Sequence, residues 1–283
     1  MNQSPSNLPT FLYIGPPKSG SSWLYEVLIQ HPDVFVPTLK DLYFFDRHYD
    51  RGLDWYSKQF SGSGSHTAVG EISHDYIYCP DACQRIAKDL PNVKLITILR
   101  EPTDRAISHY KYSKRFGNAD GSFAEAIKTN PAILERGLYG RYLERYYNAF
   151  PAENIGVFFF DDLKSNSNTL AENVFRFLGV DPGVEIDVSR KVNAHAVSRS
   201  LLLSRLAKRG AHLARQQGWT KLLGRAKRSS MVRRFLFRSA GDGAAETFDL
   251  SQVDSICSEF YRQDLEHLQS YLPVKLPWQC TNV

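Results

Sequence analysis

Short apolar runs alternate along the chain with stretches that have the spacing of an amphipathic helix. Residues 11–14 are all apolar, which is typical of a strand buried on both faces of a sheet, and the apolar residues of 23–30 recur at helical intervals. This alternation predicts strands at 11–14, 68–71, 93–99 and 155–160, and helices at 23–30, 103–116, 138–150, 169–178 and 251–272. Strands separated by helices predict an α/β fold, with three α/β/α layers around a central parallel sheet.

Length and composition fit one domain with a full-sized core. The chain has 283 residues, of which 42% are hydrophobic and 13% aromatic, and it shows no repeat or clear linker. We therefore expect a single domain over 1–283. No apolar stretch approaches the ~18 residues of a membrane span, and residues 1–10 lack the basic and apolar regions of a signal peptide. Because no secretion signal is visible, we expect a cytoplasmic protein with reduced thiols, and because the four cysteines show no paired Cys-x-x-Cys spacing, we expect no metal site.

A long segment of the chain is strongly basic. Residues 188–241 contain no Asp or Glu but fourteen of the 35 Lys and Arg residues. Glycines at 210, 218 and 224 would divide this segment into two or three short helices. A block of one charge indicates an anionic partner, such as a nucleotide, an acidic acceptor or nucleic acid, or else a set of solvated helices. Few aromatic residues interrupt the block, so base stacking is not indicated and we expect no nucleic-acid partner.

The turn between the first strand and the first helix has the composition of an anion site. A Gly/Pro/Ser-rich turn at a helix N-terminus presents backbone amide groups to an anion, and Lys18 adds a full positive charge. Nucleoside triphosphatases need Gly-x-x-x-x-Gly-Lys-Ser/Thr, with the lysine after the second glycine. Here Gly15 and Gly20 have that separation, but Ser21 stands where the lysine belongs. The turn is therefore P-loop-like, but the position of its lysine argues against a nucleotide kinase, which is the first alternative function.

A second anion site is indicated at the end of the third predicted strand. Arg100 follows this strand, Pro102 and Thr103 are typical helix-entry residues, and Ser108 comes two turns later. Arginine binds a phosphate through two parallel hydrogen bonds, and serine supplies a short donor. These residue types suit a second phosphate site, and the alternative is an arginine that caps a surface carboxylate with a serine on a helix face.

Both segments resemble the motifs of the PAPS-dependent sulfotransferases. The loop Pro-Lys-Ser-Gly-Ser-Ser-Trp, residues 17–23, resembles the one with which that family binds the 5′-phosphosulfate of 3′-phosphoadenosine 5′-phosphosulfate (PAPS). The strand-end arginine followed by proline and serine resembles its 3′-phosphate motif. The resemblance implies PAPS as donor, 3′,5′-bisphosphoadenosine (PAP) as product, and the following donor-binding residues: Pro17, Lys18, Ser19, Gly20, Ser21, Ser22, Trp23, Arg100, Ser108, Arg190 and Lys191.

Individual roles within this set are also implied by the resemblance. Lys18 would neutralise the leaving phosphate, and Trp23 would stack on adenine. Phe160 replaces a family tyrosine, so an aromatic ring could still line the adenine site without its hydroxyl. Arg190 and Lys191 would complete the 3′-phosphate site, although the glycine that follows them in cytosolic relatives is absent here.

Two residues compete as the general base. His74 matches the histidine at the equivalent strand end of cytosolic relatives, and an unperturbed imidazole titrates near pH ~6.5. Asp41 stands where the heparan and bacterial carbohydrate branches carry a catalytic glutamate, but its side chain is one methylene shorter. Ile72 replaces a further lysine found in relatives. The chain thus mixes features of two branches, and either residue could serve.

The expected activity is transfer of a sulfuryl group from PAPS to a hydroxyl or amine of a small molecule or carbohydrate. The basic segment 188–241 would help to cover the acceptor site. The second alternative function is a protein that binds a nucleotide or nucleic acid without catalysis. Neither the identity of the acceptor nor the oligomeric state can be predicted, and we expect no membrane partner.

Overall fold

The computed structural model of the protein describes residues 7–189, 196–198, 237–239 and 250–278. Its centre is a five-stranded sheet with the order β2-β3-β1-β4-β5, in which every neighbouring pair is parallel. The strands are β1 (Phe11–Gly15), β2 (Val34–Phe35), β3 (Ala68–Ile72), β4 (Lys94–Leu99) and β5 (Ile155–Phe159).

Helices cover both faces of this sheet. They are α1 (Ser21–Leu28), α2 (Phe44–Arg47), α3 (Gly52–Ser57), α4 (Pro80–Asp89), α5 (Pro102–Arg115), α6 (Phe123–Thr129), α7 (Ala132–Glu135), α8 (Tyr139–Ala149), α9 (Phe160–Ser165), α10 (Ser167–Leu178) and α11 (Leu250–Tyr271). Short 3-10 turns at Tyr49–Arg51, Lys58–Phe60, Tyr76–Tyr78 and Ala152–Asn154 join some of them.

The alternation of side chains along β1 shows why the sheet needs two helical layers. Phe11 and Tyr13 belong to one buried apolar cluster, whereas Leu12 and Ile14 belong to another. Consecutive residues of a strand point to opposite faces, so an all-apolar strand buries both. Helices α1 and α10 supply the first cluster, and α4, α5, α8 and α11 supply the second. The predicted α/β/α fold is confirmed.

The C-terminal helix α11 is fastened to the start of α8. The Asp264 carboxylate accepts hydrogen bonds from the backbone N–H groups of Gly140 and Arg141, both at 2.8 Å. Tyr261 also donates a hydrogen bond to the carbonyl of Leu134 at 2.9 Å. An acidic group at a helix N-terminus satisfies free amide groups and stabilises the helix dipole. These contacts join the end of the chain to the helical layer beside β4 and β5.

The strand order concentrates functional loops at one edge of the sheet. Strand β1 lies between β3 and β4, so the three loops that follow these strands leave the same carboxyl edge side by side. In open α/β sheets, ligands bind outside this edge. Lys18, His74 and Arg100 stand on these three loops.

The predicted elements agree with the structure except where elements are short. Outside the basic segment 188–241, each predicted strand and helix is present, and its ends lie within two residues of those observed. Strand β2 and helices α2, α3, α4, α6, α7 and α9 were not predicted. Within the basic segment, β6 (Ala196–Ser198) pairs antiparallel with β7 (Phe237–Ser239), which was not predicted either. The helices predicted between these two strands lie outside the described residues.

None of the helices described is both long and apolar enough to cross a membrane. Over the same residues, no group of three or more His, Cys, Asp and Glu side chains is arranged to hold a metal ion.

Candidate functional site

The turn between β1 and α1 forms one wall of the candidate site. Gly20 precedes α1 with φ 94°, and Lys18 has φ 72°, so both residues adopt the left-handed conformation. Glycine does so without cost, whereas lysine does so only where surrounding contacts hold it. No side chain caps the start of α1, and its first turn contains no acidic residue. The amide groups at this end of the helix are therefore available to an anion.

Hydrogen bonds hold this turn from the side of the sheet. The Tyr13 hydroxyl donates to the carbonyl of Pro16 at 2.8 Å, and the Thr97 hydroxyl donates to that of Gly15 at 2.7 Å. Ser19 is fully buried, and its hydroxyl has no hydrogen-bond partner among the described residues. Because a buried polar group without a partner costs free energy, this hydroxyl fits a turn that is completed by an anionic ligand.

The ammonium group of Lys18 lies in a positive, partly buried environment. Its Nζ is 4.5 Å from the centre of the Tyr112 ring, within the range of a cation–π contact. Burial, together with the charges of Arg115 and Arg100, lowers the pKa of Lys18 to about 8. A phosphate beside Nζ would stabilise the charged form. The environment therefore suits a lysine that contacts an anion.

Arg100 connects the first predicted anion site to the second. Its Nη1 donates to the carbonyl of Lys18 at 3.4 Å, and its Nη2 lies 3.3 Å from the Asp104 carboxylate. Its Nε is buried and has no hydrogen-bond partner among the described residues. Lys164 lies 3.1 Å from the same carboxylate, so Asp104 holds both cations in place. The unused Nε–H leaves Arg100 with capacity for a further acceptor.

Ser108 and Phe160 lie near the same arginine. Ser108 is half-buried and stands one helical turn beyond Asp104 on α5, on the same face of the helix. The Arg100 guanidinium lies 4.7 Å from the centre of the Phe160 ring. A Cβ placed on Gly20 would lie 3.4 Å from that ring. An aromatic ring thus stands between the two predicted phosphate sites.

The two candidate bases are in contact with each other. Nδ1 of His74 lies 2.7 Å from Oδ1 of Asp41. Strand β3 brings them together, because the backbone N–H of Asp41 donates to the carbonyl of Ile72 at 2.9 Å. Asp41 has φ 60° and Tyr43 has φ 54°, so this short segment is bent sharply. Sequence reasoning treated the two residues as rivals, and the structure makes them a pair.

The surroundings of His74 favour its charged form. Burial would lower the pKa of His74, but the carboxylates of Asp41 and Asp75 raise it, and the net direction is upward. Nε2 lies 3.8 Å from Oδ1 of Asp75, beyond hydrogen-bond distance. Asp75 is itself paired with Arg47 and with Arg136, the latter at 3.4 Å. Asp41 is thus the hydrogen-bond partner of the imidazole, and Nε2 faces away from that bond.

A close approach of two backbones places this pair beside the anion-binding turn. A Cβ added to Gly15 would overlap the backbone carbonyl of His74. The backbone N–H of Ser73 also donates to the carbonyl of Tyr13 at 3.1 Å. The loops after β1 and β3 are therefore in van der Waals contact. These backbone contacts place the loop that carries Lys18 beside the loop that carries His74 and its partner Asp41.

Lys40 is a residue of the site that sequence reasoning missed. Its Nζ donates to the backbone carbonyl of Ser21 at 3.0 Å and to the hydroxyl of Ser22 at 3.2 Å. It also lies 3.5 Å from the Ser21 hydroxyl. The available signal was its position next to Asp41, which itself was a candidate. Only the fold shows that this lysine reaches the first turn of α1.

A buried carboxyl group supports the segment that carries Asp41. Glu71 is 1% exposed, and burial raises its pKa to about 8. The Tyr76 hydroxyl donates to Glu71 and accepts a hydrogen bond from the backbone N–H of Phe44 at 2.9 Å. The Ser73 hydroxyl accepts from the backbone N–H of Tyr43 at 3.3 Å. This network fixes the start of α2 against the end of β3.

Of three further predicted donor-binding residues, one is buried in the core and two lie outside the described residues. Trp23 is 8% exposed, packs in the cluster of α1 and α10, and donates from Nε1 to the carbonyl of Val188 at 3.2 Å. Its burial leaves little ring surface open, and its stacking on adenine stays a prediction. Arg190 and Lys191 lie outside the described residues, so their predicted contact with a 3′-phosphate also stays a prediction.

Comparison with known proteins identifies relatives of this chain. Human bifunctional heparan sulfate N-deacetylase/N-sulfotransferase 3 is 31% identical over 242 residues, which cover 78% of this chain and 26% of that protein. Membrane-associated sulfotransferase kil1 of Dictyostelium discoideum is 32% identical over 152 residues, or 50% of this chain and 32% of that protein. The chain therefore spans about a quarter to a third of the length of these curated relatives.

A solved structure and a family model also match most of the chain. The crystal structure of a sulfotransferase from Alicyclobacillus acidocaldarius aligns with a TM-score of 0.60 at 26% identity, covering 80% of this chain and 99% of that one. A family model described as a sulfotransferase domain matches residues 8–208, well over half of the sequence. On this match, together with the anion-binding turn and the arginine that follows β4, the chain belongs to the sulfotransferase family.

Proposed function

We propose that this protein transfers a sulfuryl group from PAPS to a hydroxyl or amine of an acceptor. The observation that carries the proposal is the contact between the anion-binding turn and the His74–Asp41 pair. A site for a transferable anionic group and a proton acceptor thus share one edge of the sheet. PAPS supplies an activated sulfuryl group whose leaving group is a phosphate.

The described residues fit a nucleotide that has a phosphate at each end. The turn at 16–20, with Lys18 and the buried hydroxyl of Ser19, would bind the 5′-phosphosulfate. Arg100, with its free Nε–H, and Ser108 on the adjoining helix would bind the 3′-phosphate. The ring of Phe160 between them would line the adenosine. Positive charge held in advance beside the 5′ end stabilises charge that develops on the leaving phosphate.

The pair of His74 and Asp41 would divide the work of the base. An ionised carboxylate accepts but does not donate, so the 2.7 Å contact requires the proton of a neutral His74 to be on Nδ1. Nε2 is then free to take a proton from the acceptor. Asp41 orients the ring and stabilises the imidazolium that forms, which is the role of a carboxylate in other histidine dyads. His74 is thus the proton acceptor, and Asp41 is its positioning residue.

The acceptor belongs to a broad class. Groups that a general base activates for this transfer are hydroxyls and amines, carried by a carbohydrate or another small molecule. The human relative whose name includes heparan sulfate N-sulfotransferase favours carbohydrates among these. The predicted cytoplasmic location stays a prediction, which fractionation of cells would test.

The experiment is a transfer assay with PAPS carrying radiolabelled sulfur. Amino sugars, neutral oligosaccharides, phenols and aliphatic alcohols would be offered as acceptors, and the release of PAP would be measured beside the labelled product. We expect acceptor-dependent release of PAP by the wild type and a fall of ~10²- to 10⁴-fold in His74→Ala, the usual contribution of a general base. Phosphate transfer from ATP–magnesium at a comparable rate would instead favour the kinase alternative and overturn the proposal.

A matched control separates chemistry from folding. His66→Ala removes a half-buried histidine that contacts Phe35 and lies before the amino end of β3, whereas the anion-binding turn follows the carboxyl end of β1. We expect this control to keep the wild-type rate. Equal losses in His66→Ala and His74→Ala would show that the assay reports stability rather than catalysis.

A further inference from the structure

The start of α1 is contacted by Lys40, a lysine from outside the anion-binding turn. Lys40 reaches it from the segment between β2 and β3, and its Nζ lies within 3.5 Å of both hydroxyl oxygens of Ser21 and Ser22. These two hydroxyls follow Gly20 directly, at the end of the helix that is free of side-chain caps. Any anion that accepts hydrogen bonds from both hydroxyls would therefore be within reach of Nζ.

The partners that Lys40 has in the described structure are neutral. Its ammonium group donates hydrogen bonds to a backbone carbonyl and to a hydroxyl. Such partners orient an ammonium group but offset little of its charge, and partial burial makes an uncompensated charge costly. Burial indeed lowers the pKa of Lys40, and the attraction of Asp41 and Glu26 does not reverse this. A dianionic group at the start of α1 would provide the missing compensation.

Positive charge also accumulates at this position in a way that is unfavourable without an anion. The ammonium group of Lys40 meets the N-terminus of α1, which carries partial positive charge, and Lys18 stands three residues before Ser21 on the preceding turn. An ammonium group and a helix N-terminus repel each other unless solvent or a counter-charge intervenes. A cluster of this kind is expected where a strongly anionic group binds.

We infer that Lys40 is a direct ligand of the 5′-phosphosulfate of the donor, acting together with Lys18 from the opposite side of the turn. The inference rests on the proposed function, because it assigns a residue to the same donor site. Lys40 is adjacent in sequence to Asp41, so one short segment presents a donor-binding cation and the partner of the base. Binding of the donor and placement of the His74–Asp41 pair are then coupled through two neighbouring residues.

The test compares two nucleotides by calorimetry. PAP carries the 5′-phosphate, whereas adenosine 3′-phosphate lacks it and serves as an internal control. For Lys40→Met, which keeps the length and apolar stem of the side chain, we expect PAP affinity to fall by about 10- to 100-fold, as is typical for loss of a charged hydrogen bond. Affinity for adenosine 3′-phosphate should stay within about twofold of wild type, because the 3′ end does not touch Lys40.

Two further variants keep the result interpretable. Lys40→Arg retains the charge and should recover most of the PAP affinity, whereas Lys58→Met removes an exposed lysine and should leave both affinities unchanged. Equal PAP affinity in Lys40→Met and wild type would overturn the inference alone. Equal losses for both nucleotides would overturn it too, since they would show that Lys40 only supports the fold. If wild-type protein bound no PAP, the proposed function itself would fail.

Discussion

Asp41→Asn is the substitution that most sharply tests the division of roles between Asp41 and His74. It removes one negative charge and keeps the shape of the side chain. In the wild type, Asp41 accepts the Nδ1–H of His74 at 2.7 Å and raises the pKa of the imidazole against the lowering effect of burial. With the carboxylate gone, burial acts without its main opponent, so the pKa of His74 should fall.

The size of the effect follows from the strength of the contact. A hydrogen bond to a charged group contributes about 1.5–3 kcal/mol, and one pKa unit corresponds to about 1.4 kcal/mol. The interaction lost in Asp41→Asn is therefore large enough to lower the pKa of His74 measurably. Since an asparagine can also present its N–H₂ group and favour the wrong tautomer, the maximal rate should fall by about 10- to 100-fold.

The assay is the pH dependence of kcat/KM, together with an NMR titration of the His74 ring. A general base must be neutral, so the wild-type rate should rise with pH through the raised pKa of His74. In Asp41→Asn this rise should move to lower pH while the plateau drops. If the rise kept its position although the variant was folded, Asp41 would not control the proton affinity of His74. If Asp41→Asn lost more activity than His74→Ala, Asp41 would itself be the base.

Three further predictions concern the support of the site. Gly15→Ala should lower the free energy of unfolding by at least about 2 kcal/mol in chemical denaturation, because its Cβ would overlap the carbonyl of His74 at a φ of 127°; unchanged stability would contradict the close contact of the two loops. Burial raises the pKa of Glu71 to about 8, so the free energy of unfolding should fall as pH rises from the ordinary carboxyl range through that value. In Glu71→Gln, which can still accept a hydrogen bond from Tyr76, this fall in the free energy of unfolding should be smaller by at least about 1 kcal/mol. Arg100→Ala should weaken binding of PAP by about 10-fold or more but leave binding of ADP, which has no 3′-phosphate, within about twofold, as measured by calorimetry; equal losses for both nucleotides would contradict the assignment of Arg100 to the 3′ end.

The parts of the site that could be predicted from the sequence are those contained in one short segment. The turn with Lys18 and the strand end with Arg100 each place their chemistry within a few residues of a buried strand, so the motif and its position in the fold are read together. Fold class followed for the same reason, since long apolar strands such as β4 leave few alternatives. The proposed donor-binding residues could therefore be predicted from short, local stretches of the sequence.

The contacts that could not be predicted join distant segments. Asp41 and His74 are 33 residues apart, and their contact depends on the hydrogen bond between Asp41 and Ile72 at the end of β3. Lys40 depends on the same geometry. The short elements between them, such as β2 with two residues and α2 with four, are too brief for a periodic pattern to be recognised. The choice between two bases was thus a question about tertiary structure.

The orientation of Trp23 could not be read from the sequence. The family resemblance implied that its ring stacks on adenine, which stays a prediction, and the structure shows the ring in the cluster of α1 and α10 with its Nε1 bonded to the carbonyl of Val188. A tryptophan at the first turn of a helix can face either the ligand or the core, and the sequence does not distinguish these orientations. Phe160, a substitution in the family pattern, lies between Arg100 and Gly20.

Calorimetric titration of the wild-type protein with PAP, ADP and adenosine 3′-phosphate tests the central claim most directly. We propose that two phosphate sites, at the turn of Lys18 and at Arg100, bind opposite ends of one nucleotide. PAP should therefore bind at least about 100-fold more tightly than either nucleotide with one end missing, since each end contributes charged hydrogen bonds. This preference should be the same with and without magnesium. ADP or ATP–magnesium binding as tightly as PAP would contradict the account.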